Sequence, residues 1–104
     1  MLDYTSPEYE LHDTYLRVSG EHGPSDEAQF ESVLNELLDA KSSPLVVDMT
    51  GVTYLSSGHV RILACATISV RETNRELIIK ANRRVARLLQ MGGIDQLGTV
   101  ELVD

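Results

Sequence analysis

The chain has almost no cysteine and no tryptophan, and its scarcities exclude more than its composition declares. A single cysteine, Cys65, rules out an internal disulfide; set among Ile62, Leu63, Ala64 and Ala66, it is expected in the core as an inert thiol. No apolar run approaches the length that crosses a bilayer. Met1 to Glu10 carries charges and Pro7 where a secretory segment would need apolar residues, so a cytoplasmic protein without membrane attachment is expected. Glycines at 20, 23, 51, 58, 92, 93 and 98 never form the spacings that cradle nucleotide phosphates. Aromatic residues number five and none lies in the basic stretch, which removes a base-stacking platform. The net charge of −7 likewise argues against nucleic acid. His12, His22 and His59 are far apart in sequence and none stands at ligand spacing from Cys65, so neither a metal nor a cofactor is expected.

Charge of one sign is also unevenly spread. Residues 1–48 hold eleven acidic and two basic side chains, whereas residues 49–104 hold five acidic and seven basic ones. All seven basic residues, Arg61, Arg71, Arg75, Lys80, Arg83, Arg84 and Arg87, fall between positions 61 and 87. Solvated helix faces and complements to helix dipoles account for such a cluster, with a partner-facing patch as the alternative. Around Val85, Leu88 and Leu89 the arginines at 83, 84 and 87 are expected as surface charge.

What remains is a regular alternation of elements. Tyr9 to Leu11 and Tyr15 to Val18 are predicted as short strands about a turn at His12-Asp13. Ser25 is placed as a helix cap, with Asp26 and Glu27 in the first turn, followed by the stripe Phe30, Val33, Leu34, Leu37 and Leu38. Leu45-Val46-Val47 has the continuous apolar character of a strand covered on both faces, extended through Met49 and then Val52 to Leu55. A second helix is predicted from about Gly58 to Thr73, with Val60, Leu63, Ala64, Thr67 and Ile68 on one face and Ile62, Cys65 and Ala66 widening it. Leu77-Ile78-Ile79 is a further strand, Asn82 caps a short helix that Gly92-Gly93 ends, and Thr99 to Val103 closes the series. The order ββαβαβαβ predicts an α/β fold: a mostly parallel or mixed sheet of four or five strands with three or four helices, in one domain over residues 1–104 with an ordered core at about 8–103.

The sequence concentrates its chemistry at Ser56-Ser57-Gly58, where a strand ends and a helix begins. N–H groups there lack intrahelical partners and the dipole is positive, so a serine can cap the helix and a phosphate would be accommodated. Hydrolase chemistry finds no support. The leading glycine of the nucleophile elbow is absent, and His59 at a helix start points away from Ser57. No buried acid is in view to orient that imidazole, and the chain is not expected to be an enzyme. His59 is expected at the solvent edge. Asp48, ending an apolar run, is expected to bond the following turn.

Read as a block, Val46-Val47-Asp48-Met49-Thr50-Gly51-Val52-Thr53-Tyr54-Leu55-Ser56-Ser57-Gly58 resembles the signature of STAS domains of the anti-sigma factor antagonist type: a hydrophobic strand, D-L-S-G-V, two apolar residues, D-S-S-G. The likeness continues through Arg75-Glu76-Leu77-Ile78-Ile79. It resumes at Arg84 to Ile94, similar to the family's V-x-R-x-L-x-x-x-G-L helix, and covers roughly residues 8–103. The resemblance implies a partner-switching protein that binds a serine-kinase-type anti-sigma factor, is phosphorylated on serine and meets a PP2C-type phosphatase. In the ungapped register Ser57 matches the phosphorylated serine; a one-residue shift would put Ser56 there at the expense of the helix alignment. The implied partner-binding surface is Ser56, Ser57, Gly58, His59, Val60 and Arg61. Three positions depart from the pattern: Ser56 replaces the usual aspartate, Gly58 the following serine and His59 the usual glycine. These departures motivate the alternative of an unphosphorylated STAS scaffold or accessory subunit in a signalling or transport complex.

Overall fold

A computed structural model describes residues 6–103; the expected domain limits at residues 1 and 104 lie outside the described residues. Two strands, β1 (Glu8–His12) and β2 (Tyr15–His22), form an antiparallel hairpin. A short 3-10 turn (Pro24–Asp26) leads into α1 (Glu27–Leu38), then β3 (Leu45–Leu55), α2 (Ser57–Glu72) and β4 (Leu77–Ala81). The chain continues through α3 (Arg83–Met91), a four-residue α4 (Ile94–Leu97) and β5 (Thr99–Leu102). The sheet order follows the sequence, β1-β2-β3-β4-β5, and every pairing after the first is parallel. The expected α/β fold is therefore the observed one, a five-stranded mixed sheet with four helices.

One face of the sheet carries the core. Leu16 and Val18 of β2, Leu45, Val47 and Met49 of β3, and Leu77, Ile79 and Ala81 of β4 are buried beneath Phe30, Leu34, Leu37, Leu63, Val70, Val85 and Leu89 of the helices. Each such aliphatic side chain contributes about 1.5–3 kcal/mol on leaving water. The other face is only partly covered: Val46 and Ile78, paired across β3 and β4, are half-buried. The apolar runs that suggested strands covered on both sides thus belong to a sheet with one deep face and one shallow one. β3 also carries two extra residues against β2, where the pairing skips between Arg17 and Ser19 and between Gly20 and Glu21. Bulges of this kind re-aim side chains. Here they break the alternation of β3 after residue 48, so that Met49, Val52 and Leu55, three residues apart, all reach the core.

The helix ends show which polar residues hold the layers. Asn82 accepts from the Val85 N–H at 2.9 Å, capping α3 as expected, and its amide also donates to the carbonyls of Thr50 and Val52. Gly93 adopts φ +78 after α3, a conformation glycine permits at little cost, and α4 with its buried Ile94 follows. The expected cap at Ser25 is not formed. Residues 24–26 are a 3-10 turn closed by Asp26, whose carboxylate accepts the Gly23 N–H, and the helix starts two residues later than the serine.

Candidate functional site at the start of α2

The strand-to-helix junction separates the two serines by orientation. Ser56 is the N-cap of α2 and 4% exposed; Ser57, the first helical residue, is exposed. Strand geometry dictates the difference. The Ser56 N–H donates to the His22 carbonyl at 3.0 Å, continuing the β2–β3 ladder, while its own carbonyl already accepts from His59 and Val60 in the first turn of the helix.

The Ser56 hydroxyl sits at the centre of a small network. It donates to Glu27 Oε2 at 2.8 Å and lies 2.6 Å from His59 Nδ1, and it receives the His59 backbone N–H at 3.4 Å. Because its one proton goes to Glu27, His59 Nδ1 carries a hydrogen and donates to Ser56, leaving Nε2 as a bare acceptor. His59 is 0% exposed, packed on Phe30 with ring centroids 4.8 Å apart and on His22 at 5.4 Å. Burial pushes the His59 imidazole below its ordinary pKa, reinforced by His22 and opposed by the carboxylates of Glu27 and Asp26. His22 is lowered for the same first reason, burial, against the pull of its bond to the Ser19 carbonyl and of Asp26. Tyr9, stacked edge-on against His22, is pushed up to about 12 by burial and by Asp26.

These positions correct several expectations. His59 is not at the solvent edge, and with Ser56 and Gly58 it is buried, so these three cannot be the contact surface of the unopened domain. Of the six residues assigned to partner binding, Ser57 and Arg61 are exposed and Val60 is half-buried. The inward stripe of α2 is rotated from the expected one: His59, Leu63, Ala66, Thr67 and Val70 are buried, whereas Ile68 is 44% exposed. Counting His59 as polar displaced the stripe. The same rotation turns Cys65 outward, so it is an exposed thiol and not a core one.

Two members of the network were missed from sequence. Glu27 was read as a first-turn acid of α1; the fold carries its carboxylate to Ser56 and against Gly58, where a built Cβ would lie 2.1 Å from Glu27 Oε2. A serine at position 58, as in the STAS signature, would displace that carboxylate. Glu27 thus brings from α1 a negative charge to the junction where the signature has aspartate at position 56. His22 lies beyond the strand predicted over Tyr15 to Val18, at the end of the longer β2, and no spacing linked it to His59.

Three of the seven residues of the basic stretch, Arg71, Arg75 and Arg84, bond backbone carbonyls. Arg75 donates to the Leu38 carbonyl at 3.1 Å and to that of Ala40, closing the end of α1 where the dipole is negative. Arg71 donates to Leu97 O at 2.5 Å and Arg84 to Thr53 O at 3.2 Å. Asp48 bonds the following residues as expected. It accepts from the Thr50 N–H and hydroxyl at 3.0 and 2.7 Å and from the Tyr15 hydroxyl, with Arg17 3.9 Å away. Burial raises the Asp48 carboxyl, but the Tyr15 and Thr50 bonds outweigh it and hold the group below its ordinary value. Among the described residues no three His, Cys, Asp or Glu side chains group to hold a metal ion, and no helix is long and apolar enough to cross a membrane.

A five-stranded sheet with one antiparallel edge and helices on its deep face is a STAS-like fold, and the chain belongs to the STAS domain family. Residues 6–104 match the family described as Mlab, STAS domain. Among solved structures, an anti-sigma factor antagonist from Mycobacterium paratuberculosis superimposes with a TM-score of 0.73 at 20% identity, over 92% of this chain and 84% of that one. SiaC of Pseudomonas aeruginosa gives 0.66 at 17% identity, over 100% of this chain and 93% of that one. A comparison with curated proteins finds no significant match.

Proposed function

We propose that this STAS domain is a partner-switching regulator of the anti-sigma factor antagonist type, acting by binding and not by catalysis. Its unmodified α2 face docks a serine-kinase-type anti-sigma factor, phosphorylation of Ser57 releases that partner, and a PP2C-type phosphatase resets it. The observation that carries this reading is the division of labour between the serines: Ser56 is consumed as a buried cap, and Ser57 presents its hydroxyl to solvent at the next position.

A phosphate on Ser57 adds about −1.5 to −2 charges and three acceptor oxygens. The helix start, with its N–H groups and positive dipole end, accommodates that anion without unfolding the domain. The cost therefore falls on the docked surface, through bulk, desolvation and repulsion of any acidic partner group. The surrounding surface suits a docking face. Val60 approaches α3 closely, since a Cβ at Gly92 would lie 2.4 Å from Val60 Cγ1, and Met91 beside that contact is 79% exposed. Arg61 adds a cation one turn after Ser57.

The test is a pull-down titration with wild-type protein and Ser57→Asp against the anti-sigma factor recovered from the native cells. At least a tenfold loss of affinity is expected for the variant. Unchanged affinity would favour the unswitched scaffold instead.

A further inference from the structure

The two histidines below Ser57 have no role in the switching scheme, yet they hold the turn that presents it. Among the described residues, the buried side-chain polar atoms without a hydrogen-bond partner are Tyr9 Oη, His22 Nδ1 and His59 Nε2. All three belong to one cluster of rings, Tyr9 on His22 at 5.5 Å and His22 on His59 at 5.4 Å, closed by Phe30. Both imidazoles are 0% exposed. Each uses one nitrogen as a donor, His22 Nε2 to Ser19 O at 2.8 Å and His59 Nδ1 to Ser56 Oγ, and each leaves the other bare.

Such a pair is stable only while neutral. A proton added to either ring turns its bare nitrogen into a donor without an acceptor and brings a cation into a buried ring cluster beside the second imidazole. The groups facing the pair come from every neighbouring element: Tyr9 from β1, Asp26 from the 3-10 turn, Glu27 from α1 and Ser56 at the cap. Asp26 and Glu27 favour the proton, and burial outweighs them. The strain would be delivered to one place. The His59 ring and N–H hold the Ser56 hydroxyl, and the His22 backbone carbonyl holds the Ser56 N–H while its ring packs on that of His59, so the His59 ring is tied directly to the first turn of α2 and the His22 ring through it.

We propose that His22 and His59 form a proton-operated latch beneath Ser57: with both rings neutral the first turn of α2 is closed, and protonation of the pair releases residues 56–60 while the sheet stays folded. The latch regulates the face assigned above and rests on that assignment only for what it controls; the opening itself belongs to the free protein and needs no kinase, phosphate or partner. Acid thus exposes Ser56, Gly58 and His59, which the closed domain hides.

The experiment is an NMR titration of the full chain from pH 7.5 to 5, following the histidine rings and the protection of backbone amides corrected for intrinsic exchange. Two rings, those of His22 and His59, are expected to take up protons below pH 6.5. The opening constant of amides 59–63 should rise about tenfold per pH unit for each ring that loads, up to about a hundredfold per unit for both, and stay far above that of amides 77–81, which open only with the whole domain. In the variant His22→Gln/His59→Asn, whose amides can donate to Ser19 O and Ser56 Oγ without titrating, that rise should vanish. Rings that titrate with amides 59–63 unmoved, amides 59–63 and 77–81 opening together, or rings that load no proton by pH 5 would each overturn the latch. If the variant does not fold, the wild-type titration still decides. A protein that is never phosphorylated on Ser57 leaves this result untouched, so the two proposals fail separately.

Discussion

Replacing Ser56 with alanine should cost far more than replacing Ser57, although the two residues are adjacent and chemically identical. Ser56→Ala removes the cap of α2, a loss of about 1 kcal/mol. It also strands the His59 Nδ1–H in a site that is 0% exposed, at about 1–3 kcal/mol for a buried donor without an acceptor. Glu27 loses its bond too, but that half-buried carboxylate can be solvated and adds little. The sum is about 2–4 kcal/mol, a large part of the roughly 5–15 kcal/mol that holds a domain of this size. Ser57→Ala should stay within about 0.5 kcal/mol, as for exposed substitutions in general. Urea unfolding followed by circular dichroism, with the slope unchanged, measures both as shifts in midpoint. Adding His59→Phe to Ser56→Ala should recover part of the loss, because removing both members of a buried polar pair is cheaper than removing one. Equal losses for the two serines, or a Ser56→Ala cost below about 0.5 kcal/mol, would refute the assignment of cap and presented hydroxyl.

Other consequences are equally open to measurement. Gly58→Ala should push the Glu27 carboxylate off Ser56 and lower stability by about 1 kcal/mol, and combining it with Glu27→Ala should cost little more than Glu27→Ala alone, as a double-mutant cycle in urea would show. Global stability should fall below pH 6.5 by up to about 1.4 kcal/mol per pH unit for each buried histidine: their folded pKa values are depressed, so the unfolded chain binds protons first and the stabilisation present above pH 6.5 is lost on acidification. Thermal melts at pH 7.5 and 5.5 for the wild type and the His22→Gln/His59→Asn variant check it. Asn82→Asp should keep the acceptor for Val85 but lose the amide donors to Thr50 and Val52, at about 1–3 kcal/mol, also read by urea unfolding.

The fold was legible because the apolar period of 3.6 residues was clean over α1 and α3, because β4 was an unbroken apolar run, and because Asn82 and Gly93 sat where caps belong. Ser57 was singled out by the family resemblance and not by position, since a helix begun at Gly58 would make Ser57 the cap; the helix begins at Ser57 and Ser56 is the cap. The rest of the site was not. His59 was counted as polar, and only the fold shows that Phe30 and His22, brought from α1 and β2, make its burial tolerable. Glu27 reaches Ser56 across 29 residues of sequence, a distance that no local pattern spans. Cys65 was placed in the core by its neighbours in sequence, whereas exposure follows the helix face, which His59 had rotated.

The central claim is that the hydroxyl at position 57 is the reversible handle. Protein isolated from its native cells, with phosphatases inhibited, and analysed by fragmentation that separates residues 56 and 57 tests it most directly. A single phosphate on Ser57 with none on Ser56 is the expected result; phosphate on Ser56, or on neither serine under conditions that activate the pathway, would contradict it.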